Sequence, residues 1–184
     1  MSTVAKRWTY EDYLKLEDDK RYEIIGGKLI EMPAPTTTHQ RIVGRLFRLM
    51  SDFVEENSLG EVFVSPVDII LSEENVVQPD IVFVSKEKED IISERGVFGT
   101  PDIVVEVISP STLKRDTEDK KKLYAEYGVK ELWLIFPGEK AVEVFSLKEK
   151  DYEVCSFAYE KGKISSCLLK GLEVNLEKLF KEVL

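Results

Sequence analysis

The chain has 184 residues, 43% hydrophobic and 33% charged, with a net charge of -9. This is globular rather than disordered composition, and the length suits a single domain over residues 1–184 with a proper hydrophobic core. The acidity argues against a broad electrostatic nucleic-acid binder, and one histidine, His39, excludes multi-histidine zinc or iron sites within one chain.

In chain order, MSTVAKRWTYEDY lacks the apolar core of a signal peptide, and no later run approaches the roughly 20 apolar residues that span a bilayer. WTYEDYLKLEDD reads as a short amphipathic helix with Tyr10, Tyr13, Leu14 and Leu16 on its apolar side. RYEIIGGKLIEMP reads as a hairpin turning at Gly26 and Gly27, ended by Pro33 and Pro35. THQRIVGRLFRLMSDFVEENSLG carries the clearest helical period, with Thr38 as its N-cap and Gly60 as a stop nearby. Arg41, Arg45 and Arg48 share another face of that helix, either as a solvated stripe or as a row of phosphate contacts. EVFVSPVDIILSEENVVQPDIVFVSKE reads as two strands, the second, VVQPDIVFV, apolar enough to be central. KEKEDIISERGVFGT is a charged loop or short helix. PDIVVEVISP is a third strand, STLKRDTEDKKKLYAEYGV a helix ended by Gly128, and KELWLIFP another buried strand. GEKAVEVFSLKEKDYEVCSFA continues as antiparallel hairpins, and GLEVNLEKLFKEVL closes the chain with a short helix. Cys155 and Cys167 read as too few and too far apart for a disulfide framework or a zinc site, so a reduced, cytoplasmic protein is expected.

A helix between two central strands implies one parallel crossover in an otherwise antiparallel sheet. The expected fold is therefore a mixed-sheet α/β domain with helices on both faces. Two carboxylates sit within its apolar strands. Side-chain alternation puts Asp80 on the face of Gln78, Val82 and Val84, and Glu106 on the face of Asp102, Val104 and Ile108. An unpaired carboxylate there is costly and tends to take up a proton, whereas a nearby cation reverses that penalty. Asp102 and Glu106 are about 13 Å apart along one strand. They cannot both reach one Mg²⁺ at about 2.1 Å. Asp102 therefore reads as a strand-start residue. Asp80 and Glu106 fit one ion if their strands are neighbours, about 4.8 Å apart.

Pro79-Asp80 followed by Glu106 resembles the PD-(D/E)xK nuclease superfamily. More narrowly, YEIIGGKLIEMP, the helix opened by His39, VVQPDIVFV, PDIVVEVISPST, D-x-x-x-K at Asp116 to Lys120, and YAEYGVKELWLIFP together resemble the bacterial restriction-endonuclease-like family called Uma-two-type. The matching stretch runs from about Trp8 to Phe145. The resemblance implies a restriction-endonuclease-like sheet flanked by helices. It also implies a lysine that has migrated to Lys120, because Ile108 occupies the position where the superfamily lysine usually lies. Lys120 lies one turn before Tyr124, so this helix face points toward the protein, while Lys121 and Lys122 read as solvated. Glu23 matches a further acidic position, with pairing to Arg21 or Lys28 as the bland alternative, and His39 is an auxiliary position.

The function so implied is Mg²⁺- or Mn²⁺-dependent hydrolysis of DNA phosphodiester bonds. Asp80 and Glu106 would hold the metal, with Glu23 binding it directly or through water and Lys120 orienting the attacking water or stabilising negative charge in the transition state. Arg41, Arg45, Arg48, Lys114 and Arg115 are the expected DNA contacts. A homodimer is expected by analogy, since cutting both strands often takes two sites. The alternatives are a catalytically inactive nuclease-fold module that binds nucleic acid or protein, and a hydrolase of some other phosphate ester.

Overall fold

A computed structural model describes residues 6–183. The first five residues, part of the stretch read for a signal peptide, and Leu184, the end of the predicted last helix, lie outside the described residues. The chain opens with α1 (Tyr10–Tyr13), capped by Thr9, whose hydroxyl accepts from the Asp12 N–H. The amphipathic helix expected over residues 8–19 is thus a single turn, and Leu14 beyond it is half exposed. Trp8, Tyr10 and Tyr13 still pack, against Ile24, Ile70 and Val76.

The expected hairpin is β1 (Tyr22–Ile25) and β2 (Lys28–Glu31), joined by Gly26 and Gly27 at φ +57° and +75°. Two consecutive positive φ values are what a tight hairpin turn demands. The long helix is α2 (Thr37–Glu56). Its cap is Thr36, not the expected Thr38: Thr36 is extended, and its hydroxyl accepts from the His39 N–H. Ile42, Val43, Leu46, Met50 and Val54 form its buried stripe.

Four strands follow where two were expected: β3 (Gly60–Val64), β4 (Ile69–Ser72), β5 (Asn75–Val77) and β6 (Ile81–Ser85). The segment VVQPDIVFV divides at Pro79, which has no N–H to continue a ladder. Its two halves enter different sheets. A 3₁₀ turn (Lys86–Ile91) leads to a small hairpin that the sequence did not announce, β7 (Ile92–Ser93) and β8 (Gly96–Phe98). Then come β9 (Ile103–Val107), a π-helical turn (Arg115–Asp119), α3 (Lys120–Tyr127), β10 (Glu131–Phe136), β11 (Ala141–Lys148), β12 (Asp151–Tyr159), β13 (Lys163–Ser165), β14 (Glu173–Asn175) and α4 (Leu176–Leu179).

The main sheet runs β12-β11-β10-β9-β6-β3, and within it only β9 and β10 are parallel. That is the single crossover expected, made by α3. A second sheet, β2-β1-β5-β4-β8-β7, was not foreseen. The core therefore has two layers on the main sheet. Odd residues of β9 (Ile103, Val105, Val107) face α2, α4 and the C-terminal strands. Val104 faces the opposite side with Leu123 and Tyr124 of α3 and with Ile69, Val77 and Val97 of the second sheet. With both faces covered, every residue of β9 is buried.

The cysteines correct an expectation. Cys155 and Cys167 form a disulfide, with Cα atoms 6.6 Å apart. The chain after β12 doubles back, and the Ser165 N–H donates to Ser156 Oγ at 3.0 Å, closing a gap that linear spacing had made look long. No helix among the described residues is long and apolar enough to cross a membrane.

Candidate active site

Four elements converge at the end of β9. Glu106 lies in that strand, on the α3 side. β6 is its antiparallel neighbour, with Ile81 opposite Val105. Asp80, just before β6, donates its N–H to Val105 O at 3.0 Å, and its Oδ2 accepts the Val107 N–H at 2.7 Å. The adjacency required for Asp80 and Glu106 to share one ligand is therefore present. His39, in the first turn of α2, sets Nε2 at 3.1 Å from the same Asp80 oxygen.

Lys120, the first residue of α3, reaches the space beside Glu106. Its Nζ is 2.6 Å from Glu106 Oε1, 2.8 Å from Glu23 Oε1 and 3.9 Å from Asp116 Oδ1, with no solvent exposure. Tyr124, one turn later, donates its hydroxyl to Glu106 Oε1 at 2.6 Å. Glu23 comes from β1 in the second sheet and is wholly buried. It also accepts the Gln78 N–H at 2.9 Å, and Arg115 Nε lies 3.7 Å from its other oxygen. The bland partners weighed for Glu23 are otherwise placed: Lys28 is exposed, and Arg21 donates to Gln78 Oε1 and Ser65 Oγ.

Burial disfavours the Lys120 ammonium, but Glu106, Glu23 and Asp116 outweigh it and push the group above its ordinary range. Burial would also raise Glu23, yet Lys120 holds it below the usual carboxylate value. Glu106 goes the other way. Its burial, with Asp116, Asp80 and Glu23 nearby, raises it well above 4.5 despite Lys120. The cluster is short of positive charge. Glu23, Asp80, Glu106 and Asp116 face two permanent cations, Lys120 and Arg115. An all-oxygen donor set with carboxylates in excess of cations suits a hard divalent ion. Asp80 and Glu106 could hold it: with Oε1 bound to Lys120 and Tyr124, Glu106 Oε2 is the oxygen left for a ligand. Asp80, Glu106 and Asp116 line a cleft of about 280 Å³, with Arg21, His39 and Arg115 also in its wall.

The other expected residues divide. Lys114 is exposed and Arg48 lies beside Asp52 at 3.7 Å, largely solvated. Arg41 and Arg45 spend donors on the C-terminal segment. Arg45 Nη1 donates to the carbonyls of Leu179 and Lys181 at 2.8 and 2.6 Å, and Arg41 Nη1 to Glu182 O at 3.2 Å. They anchor the C-terminal segment on α2. Asp102 is structural, as expected, with Lys130 and Lys88 at 2.8 and 3.1 Å from Oδ1 and the Ser85 N–H on Oδ2. Lys121 is not solvated as expected but sits 3.5 Å over the Phe145 ring. Sequence reasoning missed Arg21, Gln78 and the polar role of Tyr124. Only Tyr124 left a signal, its spacing of four from Lys120.

Fold and cluster together define a mixed α/β protein of the restriction-endonuclease-like class. Residues 10–177 match the family Uma2, described as "putative restriction endonuclease", and the chain belongs to that family. A solved structure described as a putative nuclease of DUF820 from Anabaena variabilis superposes with a TM-score of 0.79 over 96% of this chain and 99% of that one, at 21% identity. An uncharacterized protein of Synechocystis sp. is 25% identical over 124 residues, 66% of this chain and 70% of its own length.

Proposed function

We propose that the chain is a Mg²⁺-dependent endonuclease that hydrolyses DNA phosphodiester bonds, with Mn²⁺ able to replace Mg²⁺. The observation that carries this reading is the convergence of Asp80 and Glu106 in the wall of one cleft, with Lys120 buried behind Glu106 and bonded to it. Asp80 and Glu106 hold the divalent ion. Once bound, such an ion polarises the scissile phosphate and lowers the pKa of an attacking water. His39 and the Val107 N–H fix the Asp80 carboxylate; Tyr124 and Lys120 fix that of Glu106. The ammonium of Lys120, bonded to Glu106 behind the cleft wall, supplies positive charge to a site where negative charge grows in the transition state. Glu23 holds Lys120 in place. Arg115, in the cleft wall, contacts a phosphate, while Lys114 and Arg48 are exposed outside the cleft. The family assignment supports a nuclease. A homodimer completes the proposal.

The test is nicking of supercoiled plasmid and of circular single-stranded DNA with Mg²⁺ or Mn²⁺. Asp80→Ala and Glu106→Ala are expected to abolish hydrolysis; wild-type activity persisting in both would sink the assignment. One observation favours a second reading, a non-catalytic nucleic-acid-binding module: Lys120 is wholly enclosed by its carboxylate partners. Titration calorimetry separates the two. DNA affinity indifferent to divalent ions, with no Mg²⁺ or Mn²⁺ binding, belongs to the module.

A further inference from the structure

The shape and charge of the cleft carry an inference about substrate class, which rests on the nuclease reading above. The groups at its floor are recessed. Glu106 and Asp116 side chains are each 5% exposed, Asp80 14% and His39 16%. One wall is the segment after β2, Met32 to Thr36, stiffened by Pro33 and Pro35; the other is the turn after β9, Ser109 to Thr112, with Pro110 at its rim. At about 280 Å³ the space between them falls just below the roughly 300–1,000 Å³ of ordinary ligand clefts, a narrow slot rather than a broad groove. Duplex phosphates lie on a stiff, convex surface. A flexible unpaired strand can turn a phosphate into such a recess by unstacking one nucleotide, a step that a paired strand resists.

The charge distribution agrees. A protein tracking a duplex neutralises many phosphates, and the helix stripe that looked suited to this has Arg41 and Arg45 bonded to C-terminal carbonyls. The cations inside the cleft are Arg21 and Arg115. Arg21 uses Nε and Nη2 on Gln78 and Ser65, and Arg115 uses Nε on Glu23 and Asp116. Each guanidinium retains donors for a phosphate oxygen. Met32 and the proline rings offer apolar contact to a base without reading its edge.

We infer that the cleft takes single-stranded DNA, one unstacked nucleotide at a time, with Arg21 and Arg115 holding the phosphates on either side of it.

The experiment compares a fluorescent single-stranded 12-mer with the same sequence as a blunt duplex. Binding is read by anisotropy in Ca²⁺, cutting in Mn²⁺. The single strand is expected to bind and be cut at least about tenfold better, and two phosphate contacts give a log K against log salt slope near about -1.4. Arg21→Gln is expected to flatten that slope by about half, and Arg21→Lys, which keeps the charge, to restore it. Equal or tighter duplex binding, equal duplex cutting, or a slope of about -4 or steeper overturns the inference while leaving the nuclease reading intact. If neither DNA is cut, the nuclease reading falls and the binding comparison still decides the strand preference. If neither is bound, both fall.

Discussion

Lys120 shows how much of this site depends on one side chain. An ammonium with no solvent exposure is tolerated because Glu106 and Glu23 lie at 2.6 and 2.8 Å. Removing it leaves two buried carboxylates facing each other and Asp116. Lys120→Met is therefore expected to destabilise the fold by about 3–5 kcal/mol in urea titrations at pH 7. The deficit is expected to shrink toward pH 5, as the stranded carboxylates take up protons. Asp102 makes a separate pH-dependent contribution at the far end of β9. Burial alone would raise its carboxyl, but the Lys130 ammonium and Ser85 N–H, with Lys88, bring it to about 2. The sign follows: a depressed acid stabilises the fold above its unfolded value of 3.8, and that contribution is lost as the pH falls toward 2. Asp102→Asn should cost about 2 kcal/mol at pH 7, with the gap to wild type narrowing below pH 5. A gap that stays constant from pH 7 to 3 would remove the ion pairs as its cause.

At the scale of elements, the junctions decide what the site receives. The π-helical turn over Arg115–Asp119 widens the helix just ahead of Lys120. It faces Asp116 and Lys120 inward while Arg115 lines the cleft. Such turns recur at functional sites because they redirect side chains without ending a helix. The junction of α2 and β3 is as tightly constrained. Gly60 has φ +146°, and a Cβ there would collide with Val84 O and stand 2.8 Å from Lys86 N. Both are backbone atoms, of β6 and of the turn that follows it, and cannot swing away. Gly60→Ala is expected to cost roughly 2–4 kcal/mol through strain and overlap. Its site residues being remote, metal binding by the folded fraction should be unchanged. The sequence marked this glycine as a helix stop, whereas the helix ends at Glu56 and the glycine is needed by the strand.

Across the whole molecule, one covalent tie joins the main sheet to its C-terminal cover. The Cys155–Cys167 disulfide links β12 to a segment that Glu131 also grips, accepting from Ser166 Oγ and the Cys167 and Leu168 N–H groups, all at 2.7 Å. For a loop this short, Cys155→Ser or reduction is expected to lower stability by about 3 kcal/mol by denaturant titration. An unchanged midpoint would show that Glu131 alone holds the segment. The sequence by itself determined the periodic elements, the parallel crossover of β9 and β10 around α3, and that Asp80 and Glu106 fit one ligand if their strands are neighbours. All three follow from local rules: a repeat of 3.6 or 2, a glycine or proline at a break, and the fixed spacing of strands. The family motif added Lys120, whose inward face the position of Tyr124 made legible. Only the tertiary structure decided that VVQPDIVFV feeds two sheets, that Arg41 and Arg45 donate to C-terminal carbonyls, that Glu23 pairs with Lys120, and that two distant cysteines meet. Each of these is a contact between segments far apart in the chain. Its partner is chosen by how the layers stack, and side-chain type and spacing along the sequence carry no record of that choice.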